Sequence, residues 1–117
     1  MAIKIKRAYE PPEPSDGTRV LVDRLWPRGM TKERAHIDEW MKEIAPSDEL
    51  RIWFGHDPGK WTGFQKRYRK ELHHSEQEKC IKKLRALAEK GTVTLVYGAS
   101  DEDHNNAQVI RGVLDKS

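Results

Sequence analysis

Apolar positions along the chain follow two unlike patterns. In the first they alternate or run unbroken over a few residues. Ile3-Lys4-Ile5-Lys6 alternates with a period of two, which predicts a half-buried or edge strand. Val20-Leu21-Val22 and Val93-Thr94-Leu95-Val96-Tyr97 are runs of β-branched and large apolar residues, which predict strands buried on both faces. In the second pattern they recur at helical spacing. Trp61, Phe64, Tyr68 and Leu72 form one stripe, introduced by Asp57-Pro58, a cap followed by a first-turn proline. Cys80, Ile81, Leu84, Leu87 and Ala88 form a second, opened by Ser75-Glu76-Gln77-Glu78 as a capping box and stopped by Gly91. Ala107, Ile110, Val113 and Leu114 form a third, for which Asp103 is the expected cap.

Shorter elements fill the first half. Pro11 to Gly17 is a loop ending in an Asp-Gly turn. Thr31 can cap a helical turn through Arg34. Ser47 precedes Asp48-Glu49, acids that favour a helix N-terminus, and Leu50, Trp53 and Phe54 share a face up to Gly55. Ile37 to Ile44 has apolar residues at i, i+3, i+4 and i+7, yet a short strand fits as well.

Strands separated by helices predict an α/β fold: a small, mostly parallel sheet flanked by helices, in a three-layer or open Rossmann- or flavodoxin-like arrangement. The 117 residues suffice for one domain, 1–117. The strands at Val20–Val22 and Val93–Tyr97 are expected to be parallel neighbours or near-neighbours. Ligands bind such sheets beyond the carboxyl ends of the strands. Both of these strands run directly into polar clusters, Asp23-Arg24-Leu25-Trp26-Pro27-Arg28-Gly29 and Gly98 to Asn106, which would then share one rim.

Composition narrows the setting. The chain is 36% hydrophobic and 35% charged, so its core is lean and its surface crowded with charge. No apolar run approaches the roughly 18 residues that span a bilayer. The start, MAIKIKRAYE, lacks the continuous apolar segment of a signal peptide, so a cytoplasmic protein without membrane contact is expected. Cys80 is the single cysteine, which excludes an internal disulfide and a CxxC motif. Its place on a helical stripe predicts a buried, unreactive thiol. The net charge of +3 permits nucleic-acid binding without demanding it. Phe64 to Lys90 holds nine Lys or Arg against four Asp or Glu, which is either a surface for a phosphate backbone or a solvated face laced with pairs such as Arg67–Glu71.

Candidate chemistry concentrates at the two clusters. Arg24 and Arg28 beside Trp26 could clamp a phosphate or carboxylate, with the indole stacking on ligand or guanidinium. The structural alternative pairs Arg24 with an acid and uses Trp26 to plug the sheet end. Asp101-Glu102-Asp103-His104 offers carboxylates and an imidazole, but consecutive side chains diverge, and no metal site is expected there. Asn105 and Asn106 would present amides at a helix N-terminus, and Tyr97 would either reach the rim or close its strand. His56-Asp57 is readable as a base held by a carboxylate, or as a cap and its neighbour. His73-His74 ends a helix, where a cation suits the dipole.

DGTRVLVDRLWPRG, WMKEIAPSDELRIWFGHDPGKWTGFQKRYRKEL and TLVYGASDEDHNNA together resemble the YeaO-like branch of the DUF488 family, bacterial and archaeal domains of unknown function. The resemblance runs from about Ile5 to Leu114 and implies a compact α/β domain in the cytoplasm. Longer relatives carry a cysteine at the end of the late strand and Cys-His-Arg at the start of the next helix. Here Tyr97 and Asn105-Asn106 stand in those neighbourhoods, so thiol or metal-thiolate chemistry does not carry over.

The favoured expectation is binding of a small phosphate- or carboxylate-bearing molecule at the rim, in a hydrolase, a transferase or a plain binding protein. Arg24, Arg28, Asn105 and Asn106 would hold the anion, Trp26 and Tyr97 would wall the pocket, and Asp23 or Asp101 would handle protons. The alternatives are a nucleic-acid module using the basic face 64–90 and a non-catalytic interaction domain whose rim tryptophans mark a partner surface. There is no GxSxG, phosphate-loop glycine motif or zinc spacing, and the sequence names neither cofactor nor oligomeric state.

Overall fold

The short apolar runs do become strands, and all four are parallel. A computed structural model describing residues 2–116 contains β1 (Ile3–Arg7), β2 (Thr18–Leu21), β3 (Glu39–Trp40) and β4 (Val93–Tyr97), in the spatial order β1-β4-β2-β3. β4 is central: Leu95 faces Ile5 on one side and Val20 on the other. Its five residues are all buried. β2 and β4 are therefore adjacent and parallel, and their carboxyl ends share a rim.

The helices are α1 (Lys32–Ala35), α2 (Asp48–Phe54), α3 (Trp61–Leu72), α4 (Ser75–Lys90) and α5 (Asn106–Asp115). Strand periodicity sorts the core onto two faces. Val20, Val22, Val93, Leu95 and Tyr97 point to the side where Phe54, Phe64, Tyr68, Leu72, Ile81, Leu84, Ile110 and Leu114 pack. Leu21 and Val96 point the other way, into a thin cluster with Ala8, Trp26, Ile37 and Trp40. Among the described residues that back face is covered by α1 and loops, where a third layer of helices would lie. α1 is four residues long and stops at His36 in the left-handed conformation, φ 48°.

An ion cluster completes the back face. Asp16 is fully buried and receives Arg19 Nη1 at 2.7 Å, Lys6 Nζ at 3.2 Å and Lys4 Nζ at 3.3 Å. Arg19 also donates to the carbonyl of Ala35, and Thr94 Oγ1 donates to the carbonyl of Asp16 at 2.7 Å. Burial by itself would push the Asp16 carboxyl up. The Glu13 N–H and the Lys6, Arg19 and Lys4 side chains outweigh it and bring the pKa to about 2. The adjoining Gly17 has φ +63°, and a Cβ there would meet the Thr92 carbonyl oxygen at 2.1 Å, so the Asp-Gly turn requires glycine.

Several local expectations hold. Thr31 Oγ1 accepts from the Arg34 N–H, Ser47 Oγ from the Leu50 N–H, and Asp57 Oδ1 from the Gly59 N–H. Ile37 to Ile44, open between helix and short strand, resolves into β3 and a 3-10 turn, because the N–H groups of Asp38 and Met41 bond the carbonyls of Arg19 and Leu21. Others are corrected. The capping box at Ser75 does not form. The carbonyl of His74 already accepts from the Glu78 N–H at 2.8 Å, which places Ser75 inside α4 and makes His74 its N-cap.

Asn105, not Asp103, caps α5, its Oδ1 accepting from the Gln108 N–H. Glu71 does not pair with Arg67; it accepts from the Ser47 N–H at 2.8 Å and Oγ at 2.6 Å, tying α3 to the start of α2. Cys80 is half-buried, and that burial raises its thiol pKa, which keeps the thiolate scarce. No helix among the described residues is long and apolar enough to cross a membrane.

Candidate functional site

The chain beyond β2 turns through Asp23, whose carboxylate ties three elements together. Asp23 Oδ2 accepts from the Gly98 N–H at 2.8 Å, just past the end of β4. Oδ1 accepts from Asn106 Nδ2 at 3.0 Å, and the same Nδ2 reaches the Val22 carbonyl at 2.9 Å. The ends of two strands and the first residue of α5 are thus held by one acid and one amide. Burial pushes the Asp23 carboxyl up, against the opposing pull of the Gly98 and Asn106 donors.

This knot forms one wall of a cleft of about 280 Å³ at the carboxyl rim. Arg24 and Leu25 border it from the β2 side, and Gly98, Ala99 and His104 from the β4 side. Ala45, Pro46, Arg51, Phe54, His56 and Phe64 close it from the segment around α2 and α3. Its lining is mainly apolar, with cationic or titratable groups at the edges. Arg24 Nε lies 3.9 Å and Arg51 Nη2 3.5 Å from the same oxygen of Asp48, and all three side chains are well exposed. His104 Nδ1 lies 2.9 Å from Asp101 Oδ2, and its ring meets Trp61 edge-on at 5.2 Å. The hydrogen bond from His104, with help from the Asp103 N–H, holds the Asp101 carboxyl below its usual range. His56 enters with φ +58°, in the left-handed region, its ring 6.2 Å from Phe54.

The residues expected at the rim are therefore divided. Asp23, Arg24, Asn105 and Asn106 border the cleft. Trp26 and Arg28 do not join Arg24 there. Trp26 turns to the back face, donates to the Met30 carbonyl at 2.6 Å and packs edge-on against Trp40 at 5.4 Å. Arg28 is exposed, and its carbonyl accepts from Tyr9 Oη at 3.0 Å. The buried Pro27 and the turn at Gly29, φ 79°, carry that segment away from the cleft.

Tyr97 closes its strand, buried in the helical core, where desolvation raises its hydroxyl pKa. Asn105 is spent on capping, and also donates to the carbonyls of Asp101 and Glu102. Asp101 lies behind His104 and accepts from the N–H groups of Asp103 and His104. Among the described residues no three His, Cys, Asp or Glu side chains converge as metal ligands.

Arg51 is the residue that sequence reasoning missed. It stands between Leu50 and Ile52 on α2, and nothing local distinguishes it from a solvated helical arginine. Only the docking of α2 brings it across the rim to Arg24.

Comparison with known proteins supplies the family. A family model described as "Inactive DUF488-N3 subclade" matches residues 2–117. "Uncharacterized protein YeaO" of Escherichia coli (strain K12) is 46% identical over 110 residues, covering 94% of each chain. The chain belongs to the YeaO-like DUF488 family. "Uncharacterized protein Rv3073c" of Mycobacterium tuberculosis is 38% identical over 112 residues, 96% of this chain and 92% of that protein, and "Uncharacterized protein Mb3100c" of Mycobacterium bovis matches to the same extent. No solved structure matches the chain.

Within this YeaO-like domain the cleft pairs an apolar interior with two arginines at its lip. Such a lip can hold a carboxylate or phosphate bidentately. Both Asp23 oxygens receive donors from the fold, the Gly98 N–H and Asn106 Nδ2. His104 borders the same cleft, with its Nδ1 at the Asp101 carboxylate.

Proposed function

We propose that this chain binds a small anionic molecule in the rim cleft, with Arg24 and Arg51 as the cationic contacts, and does not turn it over. The observation that carries this reading is the pair of guanidinium groups at the mouth of a 280 Å³ apolar cleft, beyond the carboxyl ends of adjacent parallel strands. Their shared partner, Asp48, is exposed and held at 3.5 to 3.9 Å, a loose pairing that an incoming anion can displace. Binding without turnover also suits the description of the matched family as inactive.

The basic face 64–90 gives weaker support to a nucleic-acid role. Arg67 lies 4.0 Å over the Trp53 ring, Lys83 pairs with Glu39 at 2.8 Å, and Arg85 donates to the Val113 carbonyl. Those engagements reduce the charge available to a phosphate backbone.

Calorimetric titration with inorganic phosphate and acetate, for wild type and Arg51→Gln, tests the reading. Saturable binding that weakens about tenfold or more when one charge-assisted contact is removed is the expected outcome. Absence of heat with either anion would sink it.

A further inference from the structure

We infer that the outer face of α3 binds the phosphate backbone of duplex nucleic acid, apart from the rim cleft and independently of base sequence. The basic face 64–90 spans two helices, and its halves differ.

α4 carries opposite charges at helical spacing: Glu76 with Lys79, Glu78 with Lys82, and Arg85 with Glu89. Lys83 is paired in addition with Glu39 at 2.8 Å. α3 is built otherwise. Between Asp57 and Glu76 the chain holds five Lys or Arg and a single acid, Glu71, whose carboxylate is taken by Ser47. Lys66, Arg67, Arg69 and Lys70 line one open groove with Gly63. Among the described residues none of these four cations forms an ion pair. Lys66 stands four positions before Lys70, a spacing at which like charges destabilise a helix. An anion lying along the face would reverse that repulsion.

The shape of the charge suits a chain of anions. Gly63, Lys66, Arg67 and Lys70 recur at i, i+3, i+4 and i+7, a straight stripe opposite the buried stripe of Phe64, Tyr68 and Leu72. Trp53 braces its edge. A Cβ at Gly63 would come within 2.8 Å of the Trp53 ring, and the Arg67 guanidinium is held 4.0 Å over that ring. Lys66, Arg69 and Lys70 are left to carry the contact. The groove is lined by no aromatic ring on which an unpaired base would stack, and by no apolar side chain that would enter a bilayer. A duplex backbone needs neither.

Fluorescence anisotropy with a labelled DNA duplex of about 20 base pairs, titrated across roughly 25–200 mM salt, tests the site. One phosphate each for Lys66, Arg69 and Lys70 gives an expected slope of log K against log salt of about −3. Lys66→Gln with Lys70→Gln should reduce that slope by about two and weaken binding at the lowest salt about tenfold or more, with an unchanged or higher melting midpoint. Lys79→Gln with Lys82→Gln removes the same net charge from α4 and should weaken binding by less than about threefold. Equal losses in the two variants, or no retention of duplex by the wild type at low salt, would overturn the proposal. A lowered midpoint in the α3 variant would assign its lysines to the fold instead. A single strand of the same sequence binding more tightly than the duplex, or polyglutamate of equal charge displacing the duplex as readily as unlabelled DNA does, would overturn the choice of ligand.

Discussion

Two arginine–aspartate groupings in this domain share their chemistry and differ in almost everything else. On the back of the sheet, Arg19 and Asp16 meet at 2.7 Å with side chains 4% and 0% exposed, and Lys6 joins them. At the rim, Arg24 and Arg51 share Asp48 at 3.9 and 3.5 Å, with side chains 40%, 51% and 68% exposed. The first group also satisfies backbone: Arg19 bonds the Ala35 carbonyl, the Arg19 N–H bonds Asp38, and Thr94 bonds the Asp16 carbonyl. It holds in place the loop and short helix that stand where a helical layer is missing. Among the described residues the side chains of the second group make no other hydrogen bond or ion pair. Burial, not residue type, separates an ion pair that builds the protein from one left available to a ligand.

The largest effect that sharpens this contrast is expected at Asp16. Asp16→Ala would leave Arg19 and Lys6 buried without their shared anion, at a cost of about 3–5 kcal/mol in unfolding free energy. Denaturant titration measures it directly. A loss below about 1 kcal/mol, the range of an exposed pair, would erase the distinction between the two groupings.

Acid provides a second and smaller test. The folded-state pKa of Asp16 lies at about 2, below the ordinary 3.8. A depressed carboxyl stabilises the fold above its unfolded pKa, and the contribution disappears as pH falls through the folded value. That difference corresponds to about 2 kcal/mol, lost between roughly pH 4 and pH 2. Stability measured across that window should fall in the wild type and fall less steeply in Asp16→Asn. Equal slopes would show that other carboxylates control the acid limb.

Sequence pattern reached what is local and stopped at what is distant. β1, β2, β4 and the caps at Thr31, Ser47 and Asp57 were legible because each signal lies within a few residues of its effect. The parallel pairing of β2 with β4 was legible too, since two unbroken apolar runs separated by helices have few other arrangements. The Arg24-Trp26-Arg28 cluster is legible only as two alternatives, an anion clamp or an Arg24 paired with an acid beside a Trp26 that plugs the sheet, because neighbours in sequence need not be neighbours in space. In the turn past β2, Asp23 and Arg24 face the cleft while Trp26 goes to Trp40 and Arg28 to solvent. Arg51 was invisible for the converse reason: its link to Arg24 depends on α2 being docked by the contact of Ser47 with Glu71, 24 positions along the chain. Asp23 is legible as an acid just past a strand, but its partners Gly98 and Asn106 lie 75 and 83 positions away, so no local signal shows that it ties three elements together.

The smallest expected effect on stability belongs to the rim, and its smallness is the point. Arg24→Gln and Arg51→Gln each remove one member of an exposed, loosely paired trio, so each should change unfolding free energy by less than about 1 kcal/mol. Either change could even be neutral, because it relieves repulsion between two guanidinium groups gathered around one carboxylate. The same substitutions should nonetheless weaken anion binding, and Arg24→Gln with Arg51→Gln together should abolish it. Melting each variant with and without saturating phosphate separates the two quantities: the midpoints without phosphate should coincide, and only the wild type should shift fully when it is added. If the double variant instead melts as the Asp16 variant does, the rim arginines belong to the fold, and the cleft they border has lost its reason to bind an anion.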